Sequence, residues 1–312
     1  MKRMITLDVL RGFALLGIIF INIEQMVDVN SDFSALDLML FKVSFVAIDH
    51  RFFVIFSYLF GVGFYIFTSR AKAKGQSPIK LFLRRLLILL IFGAIHHIFQ
   101  PGESLLIYAI IGFLLIPFHR AKPTIVLSSG FFFTIAGCWL GFPVLILGMF
   151  LLGHWTGQIG LFEDPERYRR GLRRTQITTF VLIVPMYFVQ EMILNESGML
   201  DVALAVGGLP VSVFYVTTII LLMQRSSVQR LLTPLANLGR MALTNYLLQT
   251  VIILTLAHSL NWFGNVHRSA LYLTAVLILI GQIIASTLWL RRFKMGPIEY
   301  VWRVGTYWKV KL

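Results

Sequence analysis

The sequence predicts an all-α, polytopic membrane protein with about ten transmembrane helices and both termini in the cytoplasm. Hydrophobic residues make up 57% of the 312 residues and charged residues only 13%, whereas soluble domains are roughly a quarter charged. The apolar runs suffice for about ten spans of ~20 residues. The Lys and Arg residues also cluster in alternate loops, as the positive-inside rule requires. We therefore expect a single transmembrane domain over residues 1–312.

The predicted spans follow the apolar runs along the chain. Residues 38–48 are apolar but end at the polar triplet 49–51, so we place them at the outer interface before the second span. The tail, residues 291–312, interleaves aromatic and basic residues, and Pro297 suits the first turn of a cytoplasmic interfacial helix. The predicted spans are 7–22, 52–68, 86–99, 105–118, 124–140, 144–155, 177–194, 202–223, 238–260 and 270–290.

The first span carries polar residues that a simple membrane anchor does not need. Asp8 and Arg11 are three residues apart, so on a helix they can pair. Arg11 and Asn22 share one face, roughly 16 Å apart along the axis. Polar groups within a span usually face other helices or a wet cavity. We interpret this face as the lining of a binding site; the alternative is a signal anchor with a flanking charge pair.

The charged loops set the predicted orientation. Among the basic residues, only Lys42, Arg51 and Arg268 fall clearly on the outer side of this arrangement. The remaining Lys and Arg residues lie on or near the side that would face the cytoplasm. The net charge of +14 is thereby explained by membrane topology, and we do not expect a nucleic-acid partner.

Polar groups gather at the outer ends of consecutive spans. Asp49, His50 and Arg51 open the second span, His96 closes the third, and Glu103 precedes the fourth. Histidine and carboxylate together are the usual parts of a general base and its orienting partner. The alternative is that interfacial charges simply reach towards water. No His-Glu-x-x-His-like spacing is present, so we expect no metal site.

A second polar cluster lies on the predicted ninth span. Arg240 and Thr244 are four residues apart, as are Asn245 and Gln249, so two polar stripes follow this helix. Amide side chains in a span often bond across to another helix. Arg240, near the inner boundary, is better interpreted as a partner for an anion, because a guanidinium forks onto phosphate or carboxylate.

With these residues in view, the chain resembles the YeiB family of bacterial inner-membrane proteins. The segments that carry the resemblance are 7–12, 51–63, 93–96, 239–250 and 296–309. The resemblance implies a multi-pass protein of the bacterial cytoplasmic (inner) membrane. The family is distantly similar to transmembrane acyltransferases, including heparan-alpha-glucosaminide N-acetyltransferase and bacterial sugar O-acyltransferases. Those enzymes take an acyl group from coenzyme A inside and pass it to an acceptor outside.

This similarity implies an integral membrane acyltransferase that uses cytoplasmic acyl-coenzyme A and an extracytoplasmic or lipid-borne hydroxyl or amine acceptor. Arg11 and Arg240 would steer the phosphates of coenzyme A. His96 would be the general base, oriented by Glu103. The sugar O-acyltransferases have a histidine where this chain has Asn22, and an amide cannot act as a base. The other expected site residues are His50 as a catalytic residue and Asp8, Asp49, Arg51, Thr244, Asn245 and Gln249 as substrate-binding residues.

Two other classes of function fit the same polar faces. A transporter, or a lipid- or solute-binding membrane protein, would use them without making or breaking a bond. A structural or regulatory membrane partner is the third class. The expected partners are membrane lipids, and a homodimer is left open.

Overall fold

The computed structural model describes residues 4–30 and 34–308. This part of the chain is all helical, with one isolated bridge between Val29 and Val266, so the predicted fold class is confirmed. The α-helices are α1 (Ile5–Met26), α2 (Ala35–Ala47), α3 (Arg51–Ala73), α4 (Pro78–His97), α5 (Leu105–Gly112), α6 (Pro123–Leu140), α7 (Phe142–Gln158), α8 (Arg169–Ser197), α9 (Leu200–Leu222), α10 (Ser226–Leu231), α11 (Thr233–Arg240), α12 (Ala242–Ser259), α13 (Arg268–Arg292) and α14 (Pro297–Tyr307), and a 3-10 helix (Phe113–Arg120) continues α5.

The helices identify a membrane protein, but fewer of them qualify as spans than the sequence predicts. Within the described residues, six are long and apolar enough to cross a membrane, counting α2 and α3 together, or seven if α11 and α12 form one span. Helix α4 carries Lys80, Arg84 and Arg85, α7 has 17 residues, and α5 with its 3-10 continuation is shorter than a full span. The count of ten spans therefore stays a prediction.

The ninth span is broken, and the prediction of one continuous helix over residues 238–260 is wrong. Helices α11 and α12 meet at Met241 with a bend of 79°. The break frees backbone N–H groups at the start of α12, and Glu299 of α14 accepts hydrogen bonds from those of Leu243 (2.8 Å) and Thr244 (3.1 Å). A carboxylate is a favourable partner there because it also complements the helix dipole. A residue far along the chain thus satisfies the N–H groups that the break leaves free.

Helix α3 lies at the centre of the helix packing, against α1, α4, α7 and α9. Glycines allow these close approaches: a Cβ at Gly61 would collide with the carbonyl oxygen of Phe150, and one at Gly153 with that of Tyr58. Helix α1 is packed against α11 in the same way, because a Cβ at Gly12 would collide with the Leu235 carbonyl oxygen. Small residues at such crossings are typical of helices that pack in a membrane.

Arg268, one of the few basic residues predicted on the outer side, joins three helices. Its Nε and Nη2 donate to the two carboxylate oxygens of Glu24 on α1, at 2.6 and 3.2 Å. Its Nη1 donates to the carbonyl oxygen of Asp37 on α2 at 3.4 Å. This two-pronged ion pair holds α1 and α2 against the start of α13.

Candidate functional site

A cavity of about 510 Å³ is bordered by basic residues at one end and aromatic residues along its length. We call it the cationic cavity. Helix α14 forms part of its wall, and a pocket of this volume is in the range that binds small molecules. Its charged lining residues are Arg11, Arg70, Lys74, Arg85, Arg240, Arg303 and Glu299.

The cationic cavity runs along one face of α3. The lining residues of α3 recur every three or four positions from Phe56 through Phe60, Gly63 and Phe67 to Arg70, and Lys74 follows directly after the helix. Phe56 and Lys74 are eighteen residues apart, which at the rise of an α-helix is about 27 Å. Positive charge lies at the Lys74 end and apolar and aromatic surface at the Phe56 end. The cavity thus matches an elongated molecule with an anionic head and an apolar tail.

A second cavity, of about 460 Å³, has the opposite character. None of the described residues that line it is Lys or Arg. We call it the acidic cavity, because its only charged side chains besides histidine are carboxylates. Its polar lining residues are Asn22, Gln25, Asp49, His50, His97, Glu103 and Ser104.

The two cavities meet at Ile18 and Ser104, which line both. Ile18 belongs to α1, whose Arg11 lines the cationic cavity and whose Asn22 lines the acidic cavity. The polar face that the sequence predicts on the first span therefore does line cavities, one at each end. Tyr246 closes the junction from the α12 side, and its hydroxyl oxygen accepts a hydrogen bond from the Ser104 N–H at 3.4 Å.

His96 is buried behind this junction and contacts Glu103, as the sequence predicts. Its Nδ1 lies 3.4 Å from Glu103 Oε2 and its Nε2 lies 2.8 Å from Thr250 Oγ1. The ring meets that of Tyr246 edge-on, with 5.0 Å between centroids. His96 lines neither cavity, and both of its ring nitrogens are engaged. Its side chain therefore supports the junction from behind.

The hydrogen bonds around His96 allow two proton arrangements. Thr250 has one hydroxyl proton, and its oxygen lies near both His96 Nε2 and, at 3.0 Å, Gln100 Oε1. If Thr250 donates to Gln100, both nitrogens of His96 must carry protons, since Nδ1 faces the Glu103 carboxylate. If the Gln100 amide is reversed, Thr250 donates to a neutral His96, and Gln100 Nε2, which otherwise has no partner in the described structure, is satisfied.

Glu103 has a second role at the start of α5. Its Oε2 accepts a hydrogen bond from the Leu105 N–H and its Oε1 one from the Leu106 N–H, both at 2.7 Å. These are two of the free N–H groups that every helix start leaves unpaired. Glu103 therefore fixes the position of Ser104 at the junction as well as the orientation of His96.

Sequence reasoning missed two residues of this network, Tyr246 and Thr250. They are four residues apart and form a third stripe on α12, beside the two polar stripes that the sequence analysis predicts. Both are buried, and both contact His96. The spacing was a usable signal, but a tyrosine and a threonine in a span are also ordinary core residues.

His50 is placed in the acidic cavity and is the more accessible of the predicted catalytic histidines. Its backbone is in the left-handed region, with φ of 59°, a strained conformation for a non-glycine residue that is often found at functional sites. Its Nε2 lies 3.9 Å from Asp49 Oδ1, and its Nδ1 has no hydrogen-bond partner among the described residues. The ring packs edge-on against Phe142, with 4.4 Å between centroids.

Arg51 lines neither cavity; it secures the turn that carries Asp49 and His50. The residue is 1% exposed. Its Nη1 donates to the carbonyl oxygen of Asp49 at 2.6 Å and its Nη2 to Gln190 Oε1 of α8 at 2.8 Å. The structure therefore places Arg51 where it fixes the turn beside the acidic cavity.

The basic residues predicted to bind an anion both line the cationic cavity. Arg11 is paired with Asp8, with 3.3 Å between Nη1 and Oδ1, so the predicted pairing is confirmed, and Asp8 itself is buried beside the cavity wall. Arg240 donates from Nη2 to the Lys294 carbonyl oxygen at 2.8 Å. Arg11 and Arg240 therefore reach the same cavity from α1 and α11.

The other predicted residues of the ninth span line neither cavity. The Thr244 hydroxyl bonds to α14. Asn245 Nδ2 donates to Ser286 Oγ and Gln249 Nε2 to Gln282 Oε1, both at 2.9 Å. These amides join α12 to α13, which is the alternative interpretation that the sequence left open. The hydrogen bonds of these two amides stabilise the packing of α12 against α13.

Comparisons with known proteins identify the family. The family model described as "Protein of unknown function (DUF418)" matches residues 156–309. A protein of Bacillus acidopullulyticus, "Uncharacterized 39.9 kDa protein in amylase 3'region", is 38% identical over 98% of this chain and 94% of its own length. The protein YeiB of Escherichia coli K12 is 43% identical over 74 residues, which are 24% of this chain and 19% of YeiB. The chain belongs to the YeiB (DUF418) family.

A further relative, YxaH of Bacillus subtilis strain 168, is 27% identical over 98% of this chain and 94% of its own length. No solved structure matches the chain. The DUF418 match covers α11, α12 and α14, and thus Arg240, Tyr246 and Glu299 in the wall of the cationic cavity. The acidic cavity is built from residues before that match.

Proposed function

We propose that this protein is an integral membrane acyltransferase that moves an acyl group from cytoplasmic acyl-coenzyme A to a hydroxyl or amine acceptor. The observation that carries the proposal is the pair of cavities of opposite character that meet at Ile18 and Ser104. One cavity suits an anionic donor with an apolar tail, and the other suits an acceptor that needs a base. A reaction between them would take place at the junction.

The donor would bind in the cationic cavity with its phosphates at the basic end. Arg11 reaches this end from α1 and Arg240 from α11, together with the other basic lining residues. Guanidinium groups bind phosphate oxygens in pairs, which gives both affinity and orientation. The pantetheine arm would extend along α3 towards Ser104, against aromatic and aliphatic side chains, so that the thioester carbon reaches the junction.

The acceptor would bind in the acidic cavity, where His50 is the better-placed general base. His50 lines the cavity, and its Nδ1 is buried without a hydrogen-bond partner in the described structure, so an acceptor hydroxyl or amine that reaches this nitrogen would satisfy it. Asp49 lies close enough to stabilise the protonated ring, and catalytic contacts of this length often shorten when substrate binds. His96 and Glu103 would position Ser104 and Tyr246 at the junction.

In the proposed reaction, the acceptor oxygen or nitrogen attacks the thioester carbonyl carbon while His50 removes the acceptor proton. The carbon–sulfur bond breaks, and coenzyme A leaves as a thiolate, which takes up a proton. The products are the acylated acceptor and free coenzyme A. A positioned base accounts for ~10²–10⁴ of the rate in such reactions.

The proposed topology has ten spans, both termini in the cytoplasm, and insertion in the bacterial inner membrane. It is supported by the charge pattern of the loops, and it turns the cationic cavity towards the cytoplasm, where acyl-coenzyme A is made. A reporter fused after Lys122 should read cytoplasmic and one inserted after Gly198 external. If both read the same side, the proposed span count is wrong.

The activity is tested with the full chain in nanodiscs, palmitoyl-coenzyme A, and an extract of membrane lipids and sugars as acceptors. Release of free thiol that depends on the protein is expected, with transfer of radiolabelled acyl to an acceptor. His50→Ala should reduce the rate ~10²–10⁴-fold. His97→Ala is the matched control, because His97 also lines the acidic cavity but is exposed. Full activity of His50→Ala would contradict the assigned base.

The second candidate function is transport or binding of a lipid or solute without catalysis. It is favoured by the same junction, because two cavities separated only around Ile18 and Ser104 resemble a path with a closed centre. Counterflow of an anionic amphiphile in proteoliposomes, without thiol release, would select this function over acyl transfer.

A further inference from the structure

Gly63 is a glycine in the middle of α3 for which helix packing gives no reason. Glycine in a helix interior is less stable than alanine by roughly 0.5–1 kcal/mol, so its presence usually marks a close approach. Gly61, two residues before Gly63, has such a reason, since a Cβ there would collide with the Phe150 carbonyl oxygen. A Cβ at Gly63 would meet no atom within 4 Å. The absent side chain therefore leaves open space and not a contact.

That open space belongs to the cationic cavity, because Gly63 is one of its lining residues. Gly63 lies eleven residues from Lys74, about 16 Å along α3, and seven residues from Phe56, about 10 Å. It therefore separates the basic mouth from the inner part of the cavity. The inner part is lined mainly by apolar and aromatic side chains such as Phe56 and Phe60, and it ends at Ser104.

We propose that Gly63 is a specificity-determining residue that keeps the inner part of the cationic cavity open to a long, unbranched chain. The ligand class is a phosphate-bearing amphiphile whose head binds at the basic mouth and whose tail passes Gly63 towards Ser104. A larger side chain at this position would fill the passage without disturbing helix packing. The proposal rests on the donor site described above and deepens it, because Gly63 would admit the extended arm that carries the thioester from the basic end to the junction.

The test measures dissociation constants by calorimetry for the full chain in nanodiscs, with two probe series. One series is octyl and hexadecyl phosphate, and the other is adenosine 3′,5′-bisphosphate, which has no pantetheine arm, and acetyl-coenzyme A, which has one. Gly63→Leu should weaken binding of the longer member of each series by about tenfold or more, with the shorter member changed less than about threefold. Gly281→Leu is the matched control, since Gly281 is also a helix-interior glycine with no atom within 4 Å of a Cβ but lies exposed on α13.

The outcomes separate this proposal from the proposed function. Equal effects of Gly63→Leu and Gly281→Leu, or equal losses for short and long tails, would overturn the role of Gly63 and leave the donor site standing. Binding of alkyl phosphates but not of coenzyme A thioesters would contradict the donor, while the alkyl series still decides the role of Gly63. If neither series binds, both proposals fail.

Gly63→Ala is the control that tests whether a side chain at this position impairs folding. Because one methyl group has free space at this position, the variant should be at least as thermostable as the wild type, since alanine favours the helix. It should also retain long-tailed ligands better than Gly63→Leu does. A clear loss of thermal stability in Gly63→Ala would show that the site is packed, and would overturn the proposal.

Discussion

Replacement of His96 by alanine should act first on stability, because His96 supports the junction from behind. The change removes two hydrogen bonds, from Nε2 to Thr250 at 2.8 Å and from Nδ1 to Glu103 at 3.4 Å. At about 1 kcal/mol for a neutral bond and about 2 kcal/mol for one to a charged group, their loss costs about 3 kcal/mol. The space left by the ring adds to this, so we expect about 3–5 kcal/mol in total.

The partners that remain keep this estimate from rising further. Glu103 retains the two backbone N–H groups at the start of α5, and Thr250 retains Gln100. Neither group is therefore left buried without a hydrogen bond, which would add ~1–3 kcal/mol each.

The measurement is the thermal unfolding temperature of the purified variant in detergent, beside His97→Ala as the control. His97 is the adjacent residue and is exposed, so its replacement should change stability by less than about 0.5 kcal/mol. His96→Ala should unfold several degrees lower, and His50→Ala should lose activity without this loss of stability. If His96→Ala were as stable as His97→Ala while losing activity, His96 would be the base and our placement of it behind the junction would be wrong.

Three further changes test the cavities and the fold. Arg240→Ala should weaken palmitoyl-coenzyme A binding by ~1.5–3 kcal/mol, the worth of a charge-assisted hydrogen bond, and Arg240→Lys should recover only part of this loss. If the affinity of Arg240→Ala measured by calorimetry equals that of the wild type, Arg240 does not bind the ligand. Glu24→Gln should cost about 1–3 kcal/mol by leaving the Arg268 guanidinium poorly paired, and a double-mutant cycle with Arg268→Gln that shows no coupling would refute this. Glu299→Gln should loosen α14 and increase its cleavage by trypsin, whereas unchanged protection would show that α14 is held by other contacts.

Local features of the site were predictable from the sequence, and distant ones were not. The pairing of Asp8 with Arg11 follows from helical spacing alone, and so does the face that brings Arg11 and Asn22 to two cavities. The contact between His96 and Glu103 follows from a turn too short to separate them.

Glu299, more than fifty residues after Met241, accepts hydrogen bonds from the N–H groups that the bend leaves free, and no local pattern could indicate this contact. The spacing of Asn245 and Gln249 predicted polar stripes but not their partners. Which surface a stripe faces is decided by the neighbouring helix, here α13.

The walls of the cationic cavity carry six basic side chains and one carboxylate, a formal charge of +5. In the absence of a ligand these charges repel one another across a space partly shielded from water, where screening by salt is weaker than at an open surface. Any small anion that enters relieves this repulsion and stabilises the folded protein by mass action. The anion of the buffer should therefore change both the stability and the ligand affinity of the protein. Phosphate or sulfate should raise its thermal stability above that in chloride, and should compete with an amphiphilic ligand for the same charges.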